Sequence, residues 1–304
     1  MNEQGKIILL VPYFGPWPPW VSYFLAACGR NEKISWVLIS DHAPPGGLPA
    51  NVRWEKMSLE AFSQRISRLV GGAVQVRQPY KLCDYRPAYG EIFSDLIGDF
   101  PFWGYCDADL VVGDLLRFFT PEILGTHDVF SVRGGYMSGH FALYRNDPRI
   151  NALYCRTPGY RKVFLAAGRH FALDERSNLL GTPLEEEARQ WWDRWRWHSL
   201  VYRGKKFFAP AIRDMTTLLR HMEKKEEIKW FHRDLVRSDK WYCDRGMRKW
   251  EILWEAGKLY DRKSGEELLH FHFLLSKRGK AFRHPLPPPA DRFLITPAGF
   301  RNLS

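Results

Sequence analysis

A chain of 304 residues with 45% hydrophobic side chains is long enough to bury a sizeable core and too apolar to stay disordered. Its formal net charge of +11 favours acidic partners such as phosphorylated substrates, nucleic acid or anionic headgroups, yet no RNP pattern, zinc finger or basic heptad accompanies that charge, so nucleic acid is not expected. No apolar run is long enough to span a bilayer, Met1-Asn2-Glu3-Gln4-Gly5 does not open a signal peptide, and five scattered cysteines without a CxxC pair fit reduced thiols; the expectation is a cytoplasmic protein, at most peripheral at the inner face of the plasma membrane.

Lys6 to Val11 is a near-continuous apolar run, as a central parallel strand requires. It stops at Pro12-Tyr13-Phe14-Gly15, and a helix is expected from Pro19 to Cys28. Ile34 to Ile39 forms a second strand that ends at Ser40-Asp41, and Asn51 to Glu55 a third. Ser58 can cap a helix whose Leu59, Phe62, Ile66 and Leu69 keep helical spacing. A further helix carries Tyr89, Ile92, Phe93, Leu96 and Ile97 on one face, and Phe102 to Tyr105 reads as a buried strand. Strands alternating with helices predict parallel βαβ units. The second half reads differently, with a strand at Phe141 to Tyr144 and amphipathic stretches near 185–200 and 214–230. The expected organisation is one domain over 1–284, a nucleotide-binding half to about 130 and an acceptor-binding half from 131, followed by a Pro-rich tail over 285–304.

The strongest chemical signal is Cys106-Asp107-Ala108-Asp109 at the end of that buried strand. Two carboxylates one residue apart suit a hard divalent cation, which takes oxygen ligands and shares them with phosphate. In an open α/β sheet the carboxyl ends of strands are where ligands bind; the alternative is a solvated acidic turn. Pro12, Tyr13, Phe14 and Asp41 share that sheet edge and are candidates to hold a base and ribose, Asp41 alternatively capping a turn. Lys81, Asp84 and Arg86 cluster before a helix, where the cations would meet phosphates and Asp84 the base or sugar, unless Asp84 only makes a turn before Pro87. The small residues of Gly134-Gly135-Tyr136-Met137-Ser138-Gly139-His140 allow close backbone approach to a ligand. Asp174 or Glu175 is a candidate general base for an attacking hydroxyl, or else the acidic start of a helix. His270 and His272 alternate onto one strand face, so one of them can be a third metal ligand, with Lys277 and Arg278 following to hold a diphosphate. Trp191-Trp192-Asp193-Arg194-Trp195-Arg196-Trp197-His198 is either core or a platform for an acceptor or a headgroup layer.

In their order these segments resemble GT-A-fold glycosyltransferases, and in particular a bacterial group of GT-A-like proteins encoded with surface-polysaccharide genes. The likeness rests on Val11-Pro12-Tyr13-Phe14-Gly15, on Lys81 to Gly90, on Phe102 to Asp109 and on the basic histidine segment ending at Lys277-Arg278. It implies a Rossmann-like, mostly parallel sheet flanked by helices, with a helix-rich acceptor side. It implies Mn2+ or Mg2+ on Asp107, Asp109 and His272 or His270, and a donor site that includes Ala108. It also implies an acceptor or sugar loop with Gly135, Ser138, Gly139 and His140, and an acidic catalytic element at Asp174 or Glu175. The partners that follow are a nucleotide-sugar, most simply a UDP-sugar, and a glycan or lipid-linked glycan acceptor. Leu274-Leu275-Ser276 lengthens the spacing from the histidines to Lys277 beyond the group's pattern. Two other classes remain open: another sugar-nucleotide or nucleotidyl-transfer enzyme, although Pro12 to Pro19 lacks the Gly-rich basic signature those carry, and a non-catalytic basic protein that binds nucleic acid or membrane.

Overall fold

The computed structural model describes residues 6–176, 182–183, 213–285 and 291–303; the tryptophan-rich run at 191–198 and the stretch near 185–200 lie outside them. The chain forms two compact units. The first comprises Met1–Lys56, Phe100–His127 and Arg233–Ser304, the second Met57–Asp99 and Asp128–His232.

In the first unit four parallel strands lie in the order Phe102–Cys106, Ile7–Pro12, Ile34–Ser40, Val52–Lys56. The expected apolar runs are these strands, and Ile7 to Val11 and Phe102 to Cys106 are buried along their whole length. Burial on both faces explains why they read as continuous apolar runs and not as alternating ones. The helix Val21–Gly29 links the first two strands and buries Tyr23, Phe24 and Leu25. A second sheet of three strands, Val236–Ser238, His270–His272 and Leu110–Val112, grows from the far side of the Asp-x-Asp turn.

The segment after Pro285 departs from the expected tail. Arg292–Thr296 pairs antiparallel with Ile252–Glu255, and Gly299–Asn302 pairs with it in turn, inside a four-stranded sheet. Phe293, Leu294 and Ile295 are buried there. Tyr23 stacks on Phe300 with ring centroids 4.0 Å apart and donates its hydroxyl hydrogen bond to Pro285 O or Asn302 Oδ1, each at 2.9 Å. Joining this sheet takes those three apolar residues out of water, and the proline run before them masks that signal.

In the second unit Ser58 caps the helix Leu59–Val70 as expected, its hydroxyl accepting from Ala61 N at 3.0 Å. The single helix expected around Tyr89 is broken. A 3-10 turn over Pro79–Ala88 leads into Tyr89–Ile92 and Ser94–Ile97, and Phe93 between them leaves helical geometry at φ −117°, ψ 28°. Its ring packs instead against Phe62 and Tyr89. The strands Trp230–His232, Val129–Ser131 and Phe141–Arg145 pair in that order, the first two parallel and the last two antiparallel. Asp214 starts the helix Met215–Lys224 with a reciprocal capping box to Thr217.

Candidate metal and donor site

The Asp-x-Asp turn sits where a buried parallel strand runs out. Phe102–Cys106 ends, Asp107 is half-buried, and Ala108 and Asp109 are buried. The chain then enters Leu110–Val112, against which His270–His272 runs antiparallel with His272 opposite Leu110. Phe273 N also donates to Asp109 O at 3.3 Å. This register brings His272 to the aspartates. One ligand atom from each of Asp107, Asp109 and His272 lies within 4.8 Å of the others. His270, opposite Val112, is buried two residues further along the strand, a displacement of about 7 Å. Of the two histidines it is His272 whose ring lies with the aspartates.

The charges at this site are unevenly shared. His272 Nε2 lies 3.1 Å from Asp109 Oδ2, and the Lys277 ammonium donates to that same oxygen. Burial would raise the Asp109 carboxyl, but the His272 and Lys277 charges and hydrogen bonds outweigh it and hold Asp109 far below the usual carboxylate range. Burial would lower His272, but Asp109 and then Asp107 outweigh it and raise the imidazole above its ordinary value. The Lys277 ammonium and a His272 ring shifted toward its charged form thus lie beside the two carboxylates. The donor set, two carboxylates and one imidazole, fits a hard or borderline divalent cation, for which His272 would give up its proton.

Trp20 belongs to the site and carries no sequence signal that separates it from the other tryptophans. Its Nε1 donates to Ala108 O at 3.0 Å, the carbonyl between the two aspartates, and the Lys277 ammonium stands 5.8 Å from its ring. On the same unit, Tyr13 stacks on Trp17 with centroids 5.3 Å apart and an interplanar angle of 15°. Burial and the Asp109 charge both raise the Tyr13 phenol. Pro12 closes the first strand and Phe14 is buried. Asp41 is exposed and ties the loops after the first two strands together, accepting from Gly15 N at 2.9 Å and standing 2.9 Å from His42 Nδ1. Arg278 is exposed beside Lys277.

The other predicted residues lie in the second unit. Lys81 and Asp84 are fully buried and pair at 2.7 Å, and the Lys81 ammonium also donates to Val163 O at 2.7 Å. Asp84 accepts from Phe171 N and Leu173 N, which brace Ala172 at φ 54°. These two side chains therefore act inside the unit, as a brace for the segment that leads to Asp174, and not in the phosphate, base or sugar contacts expected from the sequence. Burial lowers the Lys81 pKa more than Asp84 raises it, which reflects the desolvation cost of holding this paired charge out of water.

Arg86 donates to Asp174 Oδ2 at 3.0 Å and to Gly139 O. Asp174 is buried, and burial raises its carboxyl well above the usual range despite Arg86. Glu175 is only half-buried. A Cβ on Gly139 would lie 2.6 Å from Glu175 Cγ, so the absence of a side chain at 139 is what admits Glu175. The small-residue loop is pinned as well as small. Arg220 Nε donates to Gly135 O at 2.9 Å, Gly135 N donates to His232 Nδ1 at 3.1 Å, and Met137 N donates to Thr216 Oγ1 at 2.9 Å. Ser138 is buried, and its hydroxyl lies 3.3 Å from the His140 ring nitrogens.

A parallel α/β sheet whose strand end carries Asp-x-Asp, met by a histidine from a late antiparallel strand, is the arrangement the GT-A resemblance implied, and the protein is of that α/β class. The chain belongs to the family described as "Family of unknown function (DUF6625)", whose model matches residues 9–304. None of the curated proteins matches it. Among solved structures it is similar to galactosyltransferase LgtC in complex with donor and acceptor sugar analogues, at 12% identity over 90% of this chain and 88% of that one, TM-score 0.33. It is similar to mouse xyloside xylosyltransferase 1, at 10% identity over 89% and 98%, TM-score 0.45. A glycosyltransferase involved in glycosylation of the major capsid of PBCV-1 matches at 10% identity over 90% and 95%, TM-score 0.35. Among the described residues no helix is long and apolar enough to cross a membrane.

Proposed function

We propose that the protein is a glycosyltransferase that takes its sugar from a nucleotide-sugar, a UDP-sugar, with Asp107, Asp109 and His272 holding Mn2+ or Mg2+. The observation that carries this reading is the convergence of those three ligand atoms within 4.8 Å at the carboxyl end of a parallel strand. Bound there, the cation would neutralise charge gathering on the leaving diphosphate.

The chain's own residues supply the rest. Lys277 already bonds the Asp109 carboxylate, and in the loaded site its ammonium turns to a phosphate oxygen, with exposed Arg278 beside it. Tyr13 offers a ring face to the base. Asp41 holds the Gly15 loop against the second strand and leaves an exposed oxygen edge for a ribose. In the second unit Glu175 is the better general base of the acidic pair, because Asp174 is buried and bound to Arg86. Glu175 accepts the proton of the acceptor hydroxyl as its oxygen attacks the anomeric carbon, which inverts that centre. Asp174 positions Arg86, and Arg86 holds the Gly139 carbonyl. Gly135, Ser138, Gly139 and His140 belong to the acceptor side, and the acceptor is a glycan or lipid-linked glycan. The net charge of +11 draws the protein to an anionic inner leaflet.

A thermal-shift panel of UDP, GDP, ADP and CDP with and without Mn2+ tests the reading. Ligand that binds only the folded state stabilises it by about 2.7 kcal/mol at a hundredfold excess over Kd. UDP with Mn2+ is expected to raise the melting temperature more than either alone. Absence of any metal-dependent shift across the panel sinks the proposal.

A further inference from the structure

We infer that Asp239 is the positioning residue that sets Lys277 at the cation and diphosphate site. The inference rests on the reading above that Lys277 meets the donor diphosphate. Asp239 follows directly on the strand Val236–Ser238, which pairs parallel with His270–His272 and places Ser238 opposite His272. The two parallel strands leave this sheet at the same end, one into Asp239 and the other into the 273–278 segment. Asp239 is fully buried. Its Oδ2 accepts from Leu275 N at 2.8 Å, Ser276 N at 2.6 Å and Ser276 Oγ at 2.7 Å, while Oδ1 accepts from Lys240 N at 2.7 Å.

These four bonds gather on one carboxylate, and three of them grip the two residues that immediately precede Lys277. The 3-10 turn Ser276–Arg278 starts at that grip, with Arg278 N donating to Leu275 O at 3.1 Å. Lys277 leaves the turn toward Asp109 and the Trp20 ring. Leu274-Leu275-Ser276, which lengthens the spacing from the histidine, is thereby folded into a fixed turn and does not form a slack loop. Among the described residues Asp239 makes no ion pair, so its charge is spent on these short, charge-assisted bonds. A long lysine side chain loses considerable rotamer freedom when held in one place, and a turn fixed at its base reduces the part of that loss left for ligand binding.

The test uses the full-length protein in five forms: wild type, Asp239→Ala, Asp239→Asn, Lys277→Ala and the Asp239→Ala/Lys277→Ala double variant. Amide hydrogen exchange of the ligand-free protein reports the clamp. Asp239→Ala is expected to speed exchange at Leu275 and Ser276 at least tenfold while the strands Ile7–Pro12 and Phe102–Cys106 stay protected, and Asp239→Asn to fall between. Titration calorimetry of UDP in the presence of Mn2+ reports the consequence. Lys277→Ala and Asp239→Ala are each expected to weaken binding about tenfold, Asp239→Asn less, and the double variant no more than Lys277→Ala alone.

Unchanged exchange at 275–276 in Asp239→Ala overturns the clamp. A Lys277→Ala variant that binds more weakly beside an Asp239→Ala variant that does not, or losses that simply add in the double variant, overturn the positioning role while leaving the site reading intact. A Lys277→Ala variant that binds UDP and Mn2+ as the wild type does removes the site reading, and the inference falls with it.

Discussion

Asp109 and His272 are separated by 163 residues of sequence and by 3.1 Å between Oδ2 and Nε2. The antiparallel register that puts His272 opposite Leu110 accounts for this proximity, so the candidate metal set is a property of strand pairing and not of either segment alone. Removing one member should cost binding more than fold. His272→Ala is expected to reduce Mn2+ affinity strongly, while His270→Ala leaves it nearly unchanged because its strand position is two residues away. Mn2+ titration followed by electron paramagnetic resonance distinguishes the two, and equal losses in both variants would reopen the choice of histidine.

Trp20 tests the support of the Asp-x-Asp turn. Trp20→Phe keeps an aromatic ring against Phe273 and Phe282 but loses the bond to Ala108 O. Groups that orient metal ligands typically carry about 10-fold or more in affinity, and a single hydrogen bond is worth about 1 kcal/mol in stability. The expected outcome is a weaker Mn2+ isotherm by about 10-fold with only a small fall in melting temperature.

The Lys81–Asp84 pair predicts two unequal stability losses. Lys81→Met leaves a buried carboxylate without its cation, a change that costs about 3–5 kcal/mol. Asp84→Ala strands the buried ammonium and also orphans Phe171 N and Leu173 N, so its loss in urea denaturation should be the larger. A loss below about 1 kcal/mol in either would mean that the pair is solvated in the native protein.

Gly139 and Glu175 should couple. Gly139→Ala drives a methyl group into Glu175 Cγ, and overpacking of this kind costs about 1–3 kcal/mol. In a Glu175→Ala background the same substitution should cost almost nothing, a difference that a double-mutant cycle on thermal denaturation reads directly.

His170 sets a pH dependence. Burial, then the Arg86 and Lys81 charges, lower its pKa from 6.5 against the opposing pull of Asp84. The folded protein therefore binds this proton less readily than the unfolded chain does. The associated stability is present above pH 6.5 and is lost as pH falls through the lower folded value. His170→Asn should flatten that acid limb of a melting-temperature profile, and an unchanged limb would assign it to other groups.

Much of the first unit was legible from local pattern. Apolar runs at Ile7 to Val11, Ile34 to Ile39 and Phe102 to Tyr105 marked buried parallel strands, because a strand covered on both faces needs apolar residues at every position. In the second unit Ser58 was readable as a cap from its place one residue ahead of the helically spaced Leu59. The break at Phe93 was not legible, since the apolar spacing around it fits a continuous helix. Nor was the sheet in which the hairpin of Arg292–Thr296 and Gly299–Asn302 joins Ile252–Glu255, a strand distant in sequence.

What the chain alone determined is the chemistry within reach of a single segment. Asp107 and Asp109 flank one residue at the end of an apolar strand, and that adjacency already sets two carboxylates at a sheet edge. Tertiary structure decided which distant groups join them: His272 in place of His270, Lys277 on the same carboxylate, Trp20 on the intervening carbonyl, and Lys81 and Asp84 turned inward as a brace. The physical reason is that strand register and desolvation depend on pairing partners many residues apart, and those partners carry no local periodicity for a linear pattern to reveal.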